Sequence, residues 1–125
     1  MKTAHVLAFA ILAAAPLGAA ALARSDADLA LTKAGDAIES AERADAAQFA
    51  ASDLAHAHAL IEQAQAAYAG DHWTDAFVAA EHARLDADLA SARSRQQSAE
   101  DAAARVERAV AALRDQLGTS AESQP

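Results

Sequence analysis

The stretch from Leu54 to Ala90, LAHAHALIEQAQAAYAGDHWTDAFVAAEHARLDADLA, decides the fold. In its first half Leu54, Ala57, Ile61, Ala64 and Tyr68 recur at intervals of three and four, the rhythm of a helix that packs along a seam. Leu60 and Ala67 form a flanking stripe. Gly70-Asp71 follows at once. Glycine suits the left-handed residue that closes a helix and aspartate suits the cap of the next, so the pair reads as a chain reversal. In the second half Trp73, Ala76, Phe77, Ala80, Ala83, Ala87 and Ala90 fall on one face of another helix. Tyr68 and Trp73 flank the turn and read as core aromatics that pack together there, making Tyr68, Gly70, Asp71 and Trp73 a structural turn.

Working outward toward the N-terminus, Ser25 or Asp26 can cap a helix whose first turn carries Asp26 and Asp28, where negative charge meets the positive helix end. Leu31, Ala34, Ile38, Ala41 and Asp45 give it one apolar stripe, which lasts to about Ala44. From Ala46 to Ala51 the pattern slips, and Ser52-Asp53 reads as a new N-cap, predicting a kink or short break near Phe49. Neither Pro nor Gly stands there, so an unbroken helix is the alternative.

Toward the C-terminus a polar run, Arg93 to Gln97, interrupts the alanine stripe. Ala99, Ala102, Val106, Ala109, Val110, Leu113 and Leu117 then restore it. The simplest account is one helix of about 45 residues, roughly 65 Å long, ended by Gly118. Thr119 to Pro125 has no apolar periodicity and reads as a disordered tail. The expected fold is all-α: a long antiparallel helical hairpin, with three helices if the first arm is broken near Phe49. In such a hairpin Arg93, Arg95, Arg105, Arg108 and Arg114 would approach Asp26, Asp28, Asp36, Glu39 and Glu42.

Composition agrees. Alanine supplies 42 of the 125 residues while Phe, Trp and Tyr supply five, so the core must be thin and the helices close. One buried methyl gains little beside the roughly 1.5–3 kcal/mol of a buried Leu or Phe. The absence of cysteine excludes disulfides, thiolate metal sites and a lipoprotein anchor on cysteine. Asp26 to Asp88 holds thirteen carboxylates against Lys33, Arg43 and Arg84. Such a surface repels nucleic acid and anionic membranes, so no binding of either is expected of the mature domain.

Met1-Lys2-Thr3 gives a short cationic start, Val6 to Ala23 is uncharged, and Ala21-Leu22-Ala23 has the small-x-small pattern of a secretory cleavage site. The expected organisation is a signal peptide at 1–23, a helical domain at 24–118 and a tail at 119–125, with the mature chain periplasmic. An uncleaved segment anchored in the inner membrane is the alternative.

Histidines are the residues that raise a metal reading. His58 with Glu62, and His82 with Asp86, have the i, i+4 spacing that can hold an ion, and Asp75 lies two turns before His82. His56 and His58 point about 200° apart on a helix and cannot share one ion. The face through Asp75, His82 and Asp86 lies away from the alanine stripe and should look at water, so no metal, cofactor or catalytic residue is assigned. Serines stand in capping or surface contexts, no glycine-rich elbow or phosphate loop occurs, and the chain reads as no enzyme.

Asp53 to Ser94, through Leu54, Ala57, Leu60, Ala64, Gly70, Asp71, Ala76, Ala80, Ala83, Asp86, Ala87, Leu89 and Ala90, resembles the bacterial envelope family catalogued as domain of unknown function 4398. Its members share a leucine-alanine helix, a Gly-Asp-aromatic turn and an arm with a D-A-x-L-A segment. Many have proline where Ala51 stands and a lipoprotein cysteine, both absent here, and His72 is a further difference. The resemblance implies an envelope location and a helical hairpin, sometimes joined to a peptidoglycan-binding domain, and no activity. The expectation is a non-catalytic scaffold or interaction module that binds a protein or self-associates through its helical faces, as a homo-oligomer. The competing expectation is metal binding or buffering by surface histidines and carboxylates.

Overall fold

The computed structural model describes residues 17–122, with side chains described for 23–119. Four helices and no strand occur among them: α1 Leu17–Arg43, α2 Ala46–Phe49, α3 Ala51–Ala69 and α4 Trp73–Glu122. The all-α architecture follows from alanine's helix propensity and the scarcity of β-branched residues. Residues 1–16, most of the expected signal segment, lie outside the described residues, as do 123–125. Leu17 to Ala23 form the first turns of α1. Among the described residues no helix is long and apolar enough to cross a membrane.

The first arm is two antiparallel helices, not one rod. Arg24 near the start of α1 meets Tyr68 near the end of α3, while Glu42 near the end of α1 meets His58 in α3. α4 then runs parallel to α1: Arg24 lies over Trp73, and Ala44 accepts a hydrogen bond from Ser94. The result is an up-down-up bundle in which α4 packs against both other long helices.

Its core is alanine. One cluster joins Ala30 and Ala34 of α1, Ala64 of α3 and Ala79, Ala80 and Ala83 of α4. The other joins Ala37, Ile38, Ala41, Ala46, Ala50, Leu54, Ala57, Ala87 and Ala90. Ile61 bridges the two. Small side chains let the three axes approach closely, which substitutes dense packing for buried area.

Both reversals use a left-handed aspartate. Asp45 (φ 60°) ends α1, and Asp71 (φ 62°) ends α3. Gly70, expected in that conformation, has φ −89°. Around it the Asp71 N–H donates to the Tyr68 carbonyl at 3.1 Å and the His72 N–H to the Ala67 carbonyl at 2.9 Å, the paired bonds of a Schellman closure with Asp71 as its left-handed residue. Aspartate tolerates that conformation better than most side chains do. The expected cap at Ser52-Asp53 is also displaced: Ala50 (φ −142°) precedes α3, and Asp53 sits in the first turn. There its carboxylate accepts Arg93 Nη1 at 2.6 Å.

Gly118 does not end α4, which continues through it to Glu122 and takes in the first residues of the expected tail. An isolated glycine costs a helix about 1 kcal/mol relative to alanine and does not stop it without a left-handed φ, which no described glycine has. Because the first arm doubles back, α4 outlasts its neighbours. Ser94 is the last buried residue, and residues 95–122 extend about 42 Å beyond it. The expected pairing of the C-terminal arginines with the N-terminal acids therefore does not form. Arg105 and Arg108 instead donate to the carbonyls of Asp101 and Ala104 in their own helix.

Candidate functional site

At the turn end, the Tyr68 and Trp73 rings meet edge to face, 4.8 Å between centroids and 70° between planes. The reversal forces this contact, since the two residues stand on either side of it. Arg24 of α1 closes the cluster: its guanidinium carbon is 5.3 Å from the Trp73 ring centre and 6.0 Å from that of Tyr68. Arg24 Nε donates to the Tyr68 hydroxyl at 3.3 Å. That bond, with Asp71 and Asp28 nearby, raises the arginine pKa above its ordinary value, and the guanidinium lies within cation–π range of both rings. A shallow groove of about 150 Å³ beside it is lined by Ala23, Asp26, Trp73, Thr74 and Phe77. These contacts tie α1 to the turn and leave no enclosed cavity there.

His56 and His58 pair between helices and not along them. His58 Nε2 lies 3.1 Å from Glu42 Oε1 of α1, not beside Glu62. His56 Nδ1 lies 2.7 Å from Asp86 Oδ2 of α4, which separates Asp86 from His82. Asp75 and His82 are exposed and line an open groove of about 580 Å³ with Leu60, Gln63 and Val78. Neither expected i, i+4 pair forms a joint site, and among the described residues no group of three or more His, Asp or Glu could hold an ion. Arg84, between Glu81 at 2.9 Å and Asp88 at 3.2 Å, has its pKa raised chiefly by the Glu81 bond and reads as a solvated surface network.

The α4 extension also carries exposed apolar residues. Val106, Val110, Leu113 and Leu117 are exposed there, Leu117 at 71%. The extension is helical on its own account, being rich in Ala, Arg and Glu and carrying amide-to-carboxylate bonds from Gln96 to Glu100 (2.9 Å) and Gln97 to Asp101 (3.3 Å). Where it leaves the bundle, an open notch of about 530 Å³ lies between the end of α1 and α4, lined by Ser40, Arg43, Asp45, Arg95, Ser98 and Ala102. Contiguous exposed apolar patches are uncommon on single chains in water and are found at interaction surfaces, binding grooves and aggregation-prone segments.

Reading the chain alone puts Val106, Val110, Leu113 and Leu117 on one stripe but assigns them to the inside of the hairpin. Arg24 and Ser94 carry no local signal for their roles, since each meets its partners only after the first arm doubles back. No family model, curated protein or solved structure matches this chain.

Proposed function

We propose that this chain is a non-catalytic helical interaction module of the bacterial cell envelope, in which a compact three-helix base holds a long helix clear for a partner. The observation that carries the reading is the α4 extension beyond Ser94, on which no residue up to 119 is buried and Val106, Val110, Leu113 and Leu117 stand exposed in one row. A soluble protein gains nothing from holding such a row in water, and covering it supplies association free energy at about 25 cal/mol per Å² of apolar surface before the costs of association. The envelope placement draws on the cationic start, the uncharged run and the Ala21-Leu22-Ala23 cleavage pattern, and on the resemblance of Asp53 to Ser94 to domain of unknown function 4398.

Placement and role have separate tests. The periplasmic fraction should contain a chain whose mass begins at Arg24; full-length protein confined to the cytosol would refute the export. A photo-crosslinking residue at Leu113 should yield a protein adduct in intact cells while one at exposed Lys33 does not. Equal labelling at both positions would remove the interaction role.

A further inference from the structure

The large apolar residues that α4 leaves exposed, apart from Phe77, form one row. Beside the bundle they are Val78, Leu85 and Leu89, at 45%, 54% and 42% exposure. On the extension they are Val106, Val110, Leu113 and Leu117. With His82, Ala92, Gln96, Ala99 and Ala103 between them, they alternate in steps of four and three from Val78 to Leu117 without a break. At about 100° per residue this row lies on the side of α4 opposite Ala80, Ala83, Ala87, Ala90 and Ser94, which are buried in the bundle. α4 thus has two seams: an inner one of alanines under α1 and α3, and an outer one about 59 Å long whose large apolar residues are exposed.

We propose that the outer seam binds the same seam of a second copy of this chain, in a parallel, in-register two-stranded coil from Val78 to Leu117; this rests on the interaction-module reading above. The flanking charges select the occupant and its direction. In the parallel register Arg95 stands across from Glu100 of the second copy, twice by symmetry, while the other flanking charges, Glu81, Asp86, Asp88 and Arg93, are paired within their own chain with Arg84, His56, Arg84 and Asp53. Turning one copy end for end over the same layers sets Arg95 against Ala102, which leaves that cation without an acidic partner. Arg95 makes no ion pair within its own chain among the described residues. Gln96 adds register: in the parallel coil it meets its own copy and the two amides can bond, whereas end for end it meets Ala99. α1 and α3 cover the alanine seam and only border the outer row, α3 at Val78 and His82 and the end of α1 at Ala99, across open grooves that leave the row accessible to a second copy.

Sedimentation equilibrium of the purified chain should give twice the mass that mass spectrometry finds for the same sample. Val106→Asp with Leu113→Asp should weaken association at least ten-fold while Trp73 emission stays as in the unsubstituted chain, since that ring lies in the base. Arg95→Glu should weaken it several-fold, and adding Glu100→Arg should restore it. The chain has no cysteine, so Leu117→Cys reports direction: mild oxidation yields a covalent dimer in the parallel coil, whereas end for end residue 117 lies beside residue 78. A dimer insensitive to the double aspartate variant overturns the seam, and a dimer that Leu117→Cys does not trap overturns the direction. A monomer at 100 μM overturns the second copy as occupant. Cellular adducts from position 113 to a different protein would in that case leave the module reading standing, and no adduct at all would remove both.

Discussion

The Ser94 hydroxyl of α4 donates to the main-chain carbonyl of Ala44, fifty residues earlier. That carbonyl is freed where α1 ends and Asp45 turns left-handed, so a buried side chain on one helix completes the end of another. The pairing sits at the level where the base stops and α4 goes on alone.

Ser94→Ala should therefore cost about 1 kcal/mol in urea unfolding, the ordinary net worth of a hydrogen bond, even though alanine is the better helix former. Ser91 is the control. Its hydroxyl is buried with no partner, so Ser91→Ala should stabilise by up to about 1 kcal/mol. The opposite ordering of these two variants would show that the Ala44 carbonyl is satisfied some other way.

The turn makes a prediction contrary to the appearance of the Gly-Asp pair. Because Asp71 holds the positive φ, Asp71→Gly should raise stability by about 0.5–1 kcal/mol and Asp71→Val should lower it by about 1–2 kcal/mol. At Gly70 an added Cβ would meet the His72 ring at 2.9 Å, and that ring can swing aside. Gly70→Ala should stay within about 0.5 kcal/mol, and thermal melts that rank it below Asp71→Val would contradict this geometry.

The alanine core fixes the spacing between helices. Ala83 is fully buried where α4 faces α1 and α3, so Ala83→Leu should destabilise by about 1–3 kcal/mol through overpacking. The same change at exposed Ala109 should lie within about 0.5 kcal/mol. Equal melting temperatures for the two variants, followed by far-UV circular dichroism, would mean that the helices are not closely packed.

Arg24→Ala should lower the melting temperature slightly, shift Trp73 emission and reduce the near-UV signal of the Tyr68–Trp73 pair, since the cation closes that cluster. Tyr68→Phe keeps both rings and removes only the hydroxyl that accepts Arg24 Nε, so its spectra should change less. Unaltered spectra in Arg24→Ala would show that α1 does not reach the turn.

Much of this was legible in the chain. The three-four rhythm of Leu54, Ala57, Ile61 and Ala64 names the face that α3 turns inward, and Ala76, Ala80, Ala83, Ala87 and Ala90 name that of α4. Local periodicity carries this because a helix face is set by residues within two turns of one another. The slip after Ala44 was visible too, as a kink near Phe49. Its size was not, because aspartate closes a helix less often than glycine and Asp45 looked like the end of a stripe.

What the sequence determined by itself is the helical state and the buried face of each segment, since propensity and periodicity are local. Only the tertiary structure decided that the first arm doubles back. From that one reversal follow the parallel course of α1 and α4, the meeting of Arg24 with Trp73 and of Ser94 with Ala44, and the stretch of α4 left without a neighbour. The physical reason is that all three helices carry nearly the same alanine stripe: the pattern says that each face must be covered, and chain length and the turn at Asp45 settle by which helix.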